Sequence, residues 1–278
     1  MSSALRSAAL ELRAAGRVAV RGGGSLRERL GAADERLVFV VGCPRSGTTF
    51  LGRSLGSLRG FVDLGEVATL KAAIPELVQA EAGAAAPRIR QILDRTRRYG
   101  LVGARRAIEQ TPETVFVADA ALRAYPEARV VHLVRDGRDV VCSLLERGWL
   151  SAERTGADDA GLAYGPSPRF WVEPERREEF PRVSDARRAA WAWRRYVTAG
   201  RKLGERAFEL RYERLAAEPD AVAAELAASL DAPEAPLAEA LRAAHGASVG
   251  RHGADLAAEQ LADVTAEAGE TLRELGYV

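Results

Sequence analysis

Leu37-Val38-Phe39-Val40-Val41-Gly42-Cys43-Pro44-Arg45-Ser46-Gly47-Thr48-Thr49-Phe50-Leu51 decides the fold of this chain. Leu37 to Val41 is an unbroken apolar run, rich in β-branched residues, as a strand buried on both faces requires. Gly42 and Gly47 permit a sharp turn in which backbone amides approach an anion closely. Leu51, Leu55 and Leu58 then recur at helical spacing, so a helix starts near Gly47 or Thr48. A helix N-terminus with free N–H groups is a phosphate site.

A Walker A loop reads G-x-x-x-x-G-K-S/T. Gly42 to Thr49 supplies both glycines and the closing Thr, but Thr48 stands at the Lys position and the cation, Arg45, lies inside the loop. The pattern points to a phosphate-bearing ligand and leaves the ATP/Mg²⁺ apparatus incomplete.

Outward from the loop, Gly60 to Glu66 returns to the sheet, and Val67, Leu70, Ile74 and Leu77 form the apolar side of a helix containing Pro75. Glu81 to Pro87 reads as an Ala/Gly linker and Arg88 to Arg98 as a helix. Thr111 is placed to cap, and Pro112 to open, a helix reaching about Ala124. Ala128 to Val134 is a second buried strand, Arg135 to Asp139 its exit turn, and Val140, Val141, Leu144 and Leu145 begin the next helix. Ala207 to Tyr212 is a third strand. Strands alternating with helices predict an α/β fold of P-loop-like type: three layers, a mostly parallel sheet, helices on both faces. Ligands in such folds bind at the carboxyl ends of the strands.

Residues 1–36 read as an N-terminal helical extension, helical over Ser3 to Val20 with a flexible break at Gly22 to Ser25. Residues 37–278 form the main domain. Within it 148–184 reads as an insertion over the active-site face. It holds Pro166, Pro168, Pro174 and Pro181, and its Trp149, Tyr164, Phe170, Trp171 and Phe180 are available to a ligand.

The 278 residues carry a net charge of +1, so global charge points to neither nucleic acid nor an anionic membrane. Cys43 and Cys142 have no metal-ligand spacing and read as free thiols of a reducing compartment, the cytoplasm. No apolar run approaches the ~20 residues of a membrane span. Arg6, Glu11, Arg13 and Arg17 interrupt any signal-peptide core at the N-terminus.

Val40 to Thr49 resembles the 5′-phosphosulfate loop of the sulfotransferases that use 3′-phosphoadenosine 5′-phosphosulfate (PAPS), whose core reads P-K/R-S/T-G-T-T. The Arg form is similar to the bacterial and tyrosylprotein-type branches. Arg129 to Ser143 resembles the family's 3′-phosphate motif: Arg135, a Ser eight residues on, and a further basic residue, Arg147. Ser143 and Arg147, four apart, share one helix face.

The resemblance implies sulfuryl transfer from PAPS, leaving PAP, to the hydroxyl of a small-molecule, lipid or glycan acceptor. It implies no metal and leaves a homodimer open. The amides of Ser46, Gly47, Thr48 and Thr49 would hold the phosphosulfate, and Arg45 would neutralise charge on the departing oxygen. Arg135, Ser143 and Arg147 would take the 3′-phosphate. Tyr212 in Leu210-Arg211-Tyr212-Glu213 matches the nucleoside-contacting Tyr. Ser248 and Arg251 match the late loop closing over the 3′-phosphate. Gln110-Thr111-Pro112 is similar to E-K-T-P with Gln in place of Lys. Glu66, after Gly65, resembles the catalytic Glu of the tyrosylprotein branch and would be the base; His132, inside a strand, reads as core. The alternative is a P-loop nucleotide or small-molecule kinase, with Asp136 as its only obvious metal ligand.

Overall fold

The computed structural model describes residues 3–21 and 24–278; the break expected at Gly22 and Gly23 lies outside them. The chain begins with α1 (Ser3–Arg21) and α2 (Leu26–Leu30). α2 lies beyond the helix expected over Ser3 to Val20. Its N-terminus is fixed by a capping box in which Ser25 and Glu28 satisfy each other's backbone N–H.

β1 (Val38–Gly42) is buried at every residue. α3 (Thr48–Gly56), β2 (Phe61–Gly65), α4 (Ala68–Leu77) and α5 (Ala82–Tyr99) follow. The expected linker at Glu81 to Pro87 is the start of α5. Its alanines are strong helix formers, and Ala85 and Ala86 are buried in the core, which outweighs Pro87. β3 (Arg106–Glu109) was not expected, and it completes the sheet between β1 and β2. The helix expected from Pro112 is a 3₁₀ turn, Pro112–Val117, before α6 (Ala118–Ala124). Thr111 does not cap it; its hydroxyl accepts from the Val67 amide at 2.9 Å.

β4 (Arg129–Val134), α7 (Gly137–Arg147), α8 (Asp185–Arg201), β5 (Ala207–Arg211), α9 (Tyr212–Ala217), α10 (Pro219–Leu230), α11 (Glu234–Leu241), α12 (His252–Asp255) and α13 (Ala258–Glu274) complete the chain. The sheet order is β2-β3-β1-β4-β5, all parallel.

Side-chain alternation divides the sheet's two faces. Val38, Val40, Ile108, Val131, Leu133 and Leu210 pack with Leu51, Leu55, Leu215 and Leu226 of α3, α9 and α10. Phe39, Val41, Leu64, Val130 and Val134 pack with Leu70, Ile89, Val140, Trp193 and Val264 on the other face. Each fully buried Val, Leu or Phe contributes roughly 1.5–3 kcal/mol. No helix among the described residues is long and apolar enough to cross a membrane.

β1 and β4 are in register at Gly42 and Leu133, where the loop begins. Gly42 has φ 153°, and a Cβ there would overlap the carbonyl oxygen of Leu133 on β4. That obstacle is backbone and cannot swing away. Gly42→Ala is therefore expected to lower unfolding stability by about 2–3 kcal/mol, read as a lowered urea midpoint at unchanged slope.

Candidate active site

Because all five strands are parallel, they end on one edge, at Gly42, Gly65, Glu109, Val134 and Arg211. The residues after those ends are the loop 43–49, Glu66, Gln110-Thr111, Arg135 and Tyr212. β1 and β4 are neighbours whose connections leave in opposite directions, β1 toward β2 and β4 toward β5, which opens a crevice at their carboxyl ends.

The loop and the β4 exit touch. Arg45, at φ 76°, donates from Nε to Ser143 Oγ on α7 at 2.9 Å. Arg135 donates from Nη1 to the Arg45 carbonyl at 3.3 Å and from Nη2 to the Ser248 carbonyl. Its guanidinium lies 4.9 Å over the Tyr212 ring, and Trp193 Nε1 donates to its carbonyl at 3.0 Å. The same Tyr212 ring faces Gly47, where a Cβ would stand 2.8 Å from it. Glu213 fastens this corner: it accepts from the Asp136 amide at 2.8 Å and from the Tyr277 hydroxyl at 3.0 Å.

Three guanidiniums gather here with little compensation. Burial, then the charges of Arg147 and Arg135, lower the pKa of Arg45. Among the described residues no carboxylate pairs with Arg45 or Arg147 within 4 Å, and Arg135 has only Asp139 at 3.9 Å. Ser46 Oγ and Arg135 Nε are buried without a partner. The amides of Gly47, Thr48 and Thr49 have no protein acceptor among the described residues, and no acidic residue occupies the first turn of α3. Unpaired donors and surplus positive charge fit a ligand bearing phosphate groups.

Other expected residues are differently engaged. The Ser46 amide already donates to the Cys43 carbonyl at 3.1 Å. The Ser248 hydroxyl donates to the His245 carbonyl at 3.3 Å, so it is its carbonyl that meets Arg135. Arg251 is ion-paired with Glu146 and with Asp255, which raise its pKa. Gln110 is buried and donates to Asp63 at 2.8 Å. Asp136 is bound by Arg138 at 2.6 Å and accepts from its amide, so its carboxylate is spent on the turn.

Beside the loop lies a pocket of about 280 Å³. Cys43, Pro44 and Glu66 line it, and the 148–184 segment supplies Trp149, Asp158, Asp159, Tyr164, Arg169 and Trp171. Phe180, by contrast, is wholly core, stacked edge-on against Trp171 and Trp191. Glu66 is partly exposed and accepts from Lys71 Nζ at 3.2 Å. Lys71 also faces Glu113 at 3.7 Å, and these two charges, with burial opposing, raise its pKa.

Sequence reading missed Lys71 and Glu113; the available signal was a single Lys interrupting an apolar helix one turn after Glu66. His132 lies elsewhere, packed against Gly200, with burial pushing its imidazole down to about 4. His252 is held by Asp139 at 2.7 Å.

No curated protein matches the chain. Solved structures that share its fold include two sulfotransferase domains. The sulfotransferase domain from the curacin biosynthetic pathway is 17% identical over 81% of this chain and 84% of that one, with a TM-score of 0.51. The sulfotransferase domain from the Synechococcus PCC 7002 olefin synthase is 15% identical over 90% and 98%, also with a TM-score of 0.51. The family described as "Sulfotransferase family" matches residues 76–236, more than half of the chain, and its span takes in Arg135, Ser143, Arg147 and Tyr212. By that match the chain belongs to the sulfotransferase family.

Proposed function

We propose that the chain moves a sulfuryl group from PAPS to the hydroxyl of a small-molecule, lipid or glycan acceptor in the cytoplasm, without a metal. The observation that carries this reading is the contact between the two strand-end turns: Arg45, Arg135 and Ser143 form one cluster, with buried donors and, among the described residues, a single ion pair, Arg135 to Asp139 at 3.9 Å. A nucleotide with phosphate at both ends answers both halves of it.

In this reading the amides of Gly47, Thr48 and Thr49 and the hydroxyl of Ser46 hold the 5′-phosphosulfate. Arg45 leaves Ser143 to lie against the bridging oxygen as the sulfur–oxygen bond to the 5′-phosphate breaks. Arginine stays protonated in such a site, so its contribution is electrostatic. Arg135, Ser143 and Arg147 select the 3′-phosphate, and Tyr212 supports the nucleoside. Arg251 joins by releasing Glu146, and Ser248 by moving with its loop. Glu66 takes the proton of the acceptor hydroxyl as that oxygen bonds to sulfur. The 148–184 segment forms the acceptor side.

The test is thermal. PAP at a hundredfold excess over its Kd stabilises the folded state by about 2.7 kcal/mol, expected as a rise of roughly 5 °C in Tm. ATP with Mg²⁺ is expected to give no comparable rise. The reverse order would replace the reading with a kinase.

A further inference from the structure

The pocket beside the loop has a charge pattern opposite to that of the donor cluster. Four carboxylates line it, Glu66, Glu113, Asp158 and Asp159, against two cations, Lys71 and Arg169. Lys71 Nζ lies 3.2 Å from Glu66, 3.7 Å from Glu113, 3.9 Å from Asp158 and 4.0 Å from Asp159, and Arg169 reaches Asp158 at 3.5 Å. One lysine is thus shared among four acids, and the pocket keeps an excess of negative charge. Burial raises the pKa of Glu113 while Lys71 opposes it; even with Glu113 neutral, three carboxylates face two cations.

A second observation points the same way. Glu113 is 2% exposed, yet its Oε2 has no hydrogen-bond partner. A buried carboxylate oxygen left unanswered calls for a donor. Asp159, whose side chain is 53% exposed, presents a second carboxylate to solvent among the lining residues. The remaining lining includes Trp149, Tyr164, Trp171 and Tyr196, aromatic rings whose faces attract cations. The volume, about 280 Å³, suits a group of single-ring size.

We infer that the acceptor is a hydroxyl compound of about single-ring size that carries an organic cation, such as a protonated amine. The inference rests on the sulfotransferase reading of the same site. The ammonium sits among the carboxylates and rings, and the hydroxyl points toward Pro44 and the loop. The two halves of the cleft then divide the work: arginines for the anionic donor, acids for the cationic acceptor. An acidic sugar or acidic peptide would meet like charge in this pocket.

The test uses two triads, each sharing one ring and hydroxyl and differing in charge. One is tyramine, p-cresol and 4-hydroxyphenylacetate; the other is 4-aminocyclohexanol, cyclohexanol and 4-hydroxycyclohexanecarboxylate. Each is titrated against the full chain, free and saturated with PAP, by ligand-observed NMR, and PAP release from PAPS is followed in parallel. The expected order is ammonium, then neutral, then carboxylate, with about tenfold between the extremes. Asp159→Asn, at a partly exposed position, is expected to narrow that span about threefold while PAP affinity stays unchanged.

Binding of a neutral or carboxylate compound as tight as its ammonium partner overturns the inference, as does the absence of ammonium binding in both triads. Failure of PAP itself to bind would instead remove the donor reading, and the triads on the free protein would still report the pocket's charge preference.

Discussion

Arg135→Ala is expected to lower the affinity for PAP by roughly 10²–10³-fold. Arg135 is 6% exposed, its nearest ion-pair partner is Asp139 at 3.9 Å, and its Nε has no protein acceptor. A buried guanidinium with an unused donor gains most from a doubly charged oxyanion. Truncating one partner of a buried, hydrogen-bonded charge pair costs about 2–5 kcal/mol, much of it from leaving the other charge unpaired. The same side chain braces the Arg45 and Ser248 carbonyls and stacks on Tyr212, so loss of shape could mimic loss of charge. Arg135→Lys separates the two. It keeps the charge but not the fork, and is expected to recover part of the affinity. Calorimetry of PAP binding, with circular dichroism as the check on folding, reads the outcome. Affinity within threefold of the parent in a folded Arg135→Ala protein would remove the 3′-phosphate from the β4 exit. Arg147→Ala should cost less, because Arg147 is exposed on α7 and screened by solvent.

The parts of this molecule that were legible in its sequence are those where local pattern and tertiary burial agree. β1 is apolar at each of its first four residues because both of its faces are covered, and the same holds for Val130, Val131, Leu133 and Val134, with His132 the one polar side chain among them. The loop was legible because its glycines answer a backbone demand: Gly42 against Leu133, Gly47 against Tyr212.

β3 was not legible, since Arg106-Ala107-Ile108-Glu109 begins and ends on charge. Both side chains are buried, Arg106 by partners far along the chain and Glu109 by the turn that follows it. Arg106 donates to the Leu230 carbonyl and lies 5.2 Å over Phe61. Glu109 accepts from the Thr111 amide and the Thr114 hydroxyl, and burial holds its carboxyl up at about 8. Spacing cannot forecast such pairings. The acidic pocket was hidden for the same reason. Glu66 and Lys71 come from one stretch, Glu113 from the turn after β3, and Asp158 and Asp159 from a segment without periodicity. Only folding brings them within 4 Å of one ammonium.

Glu66→Gln is expected to reduce kcat by about 10²–10⁴-fold and to leave PAP affinity within twofold. Glu66 and the loop residues Cys43 and Pro44 line one pocket, so in the proposed reaction an acceptor hydroxyl bound there would stand between a carboxylate and the loop. Gln keeps the size and one oxygen but cannot take a proton, so binding and chemistry separate. Lys71 holds Glu66 at 3.2 Å while the shared contacts to Glu113 and Asp158 keep that lysine from swinging toward the loop. The other candidates are worse placed. His132 is packed against Gly200, His252 is bound to Asp139, and Glu113 and Asp158 are nearly closed to solvent. Turnover of the Glu66→Gln enzyme at the parental rate would pass the proton to Asp159, the one other pocket carboxylate with more than a third of its side chain exposed. Asp159→Asn would then lose kcat itself, where the present assignment has it lose selectivity for the charge of the acceptor.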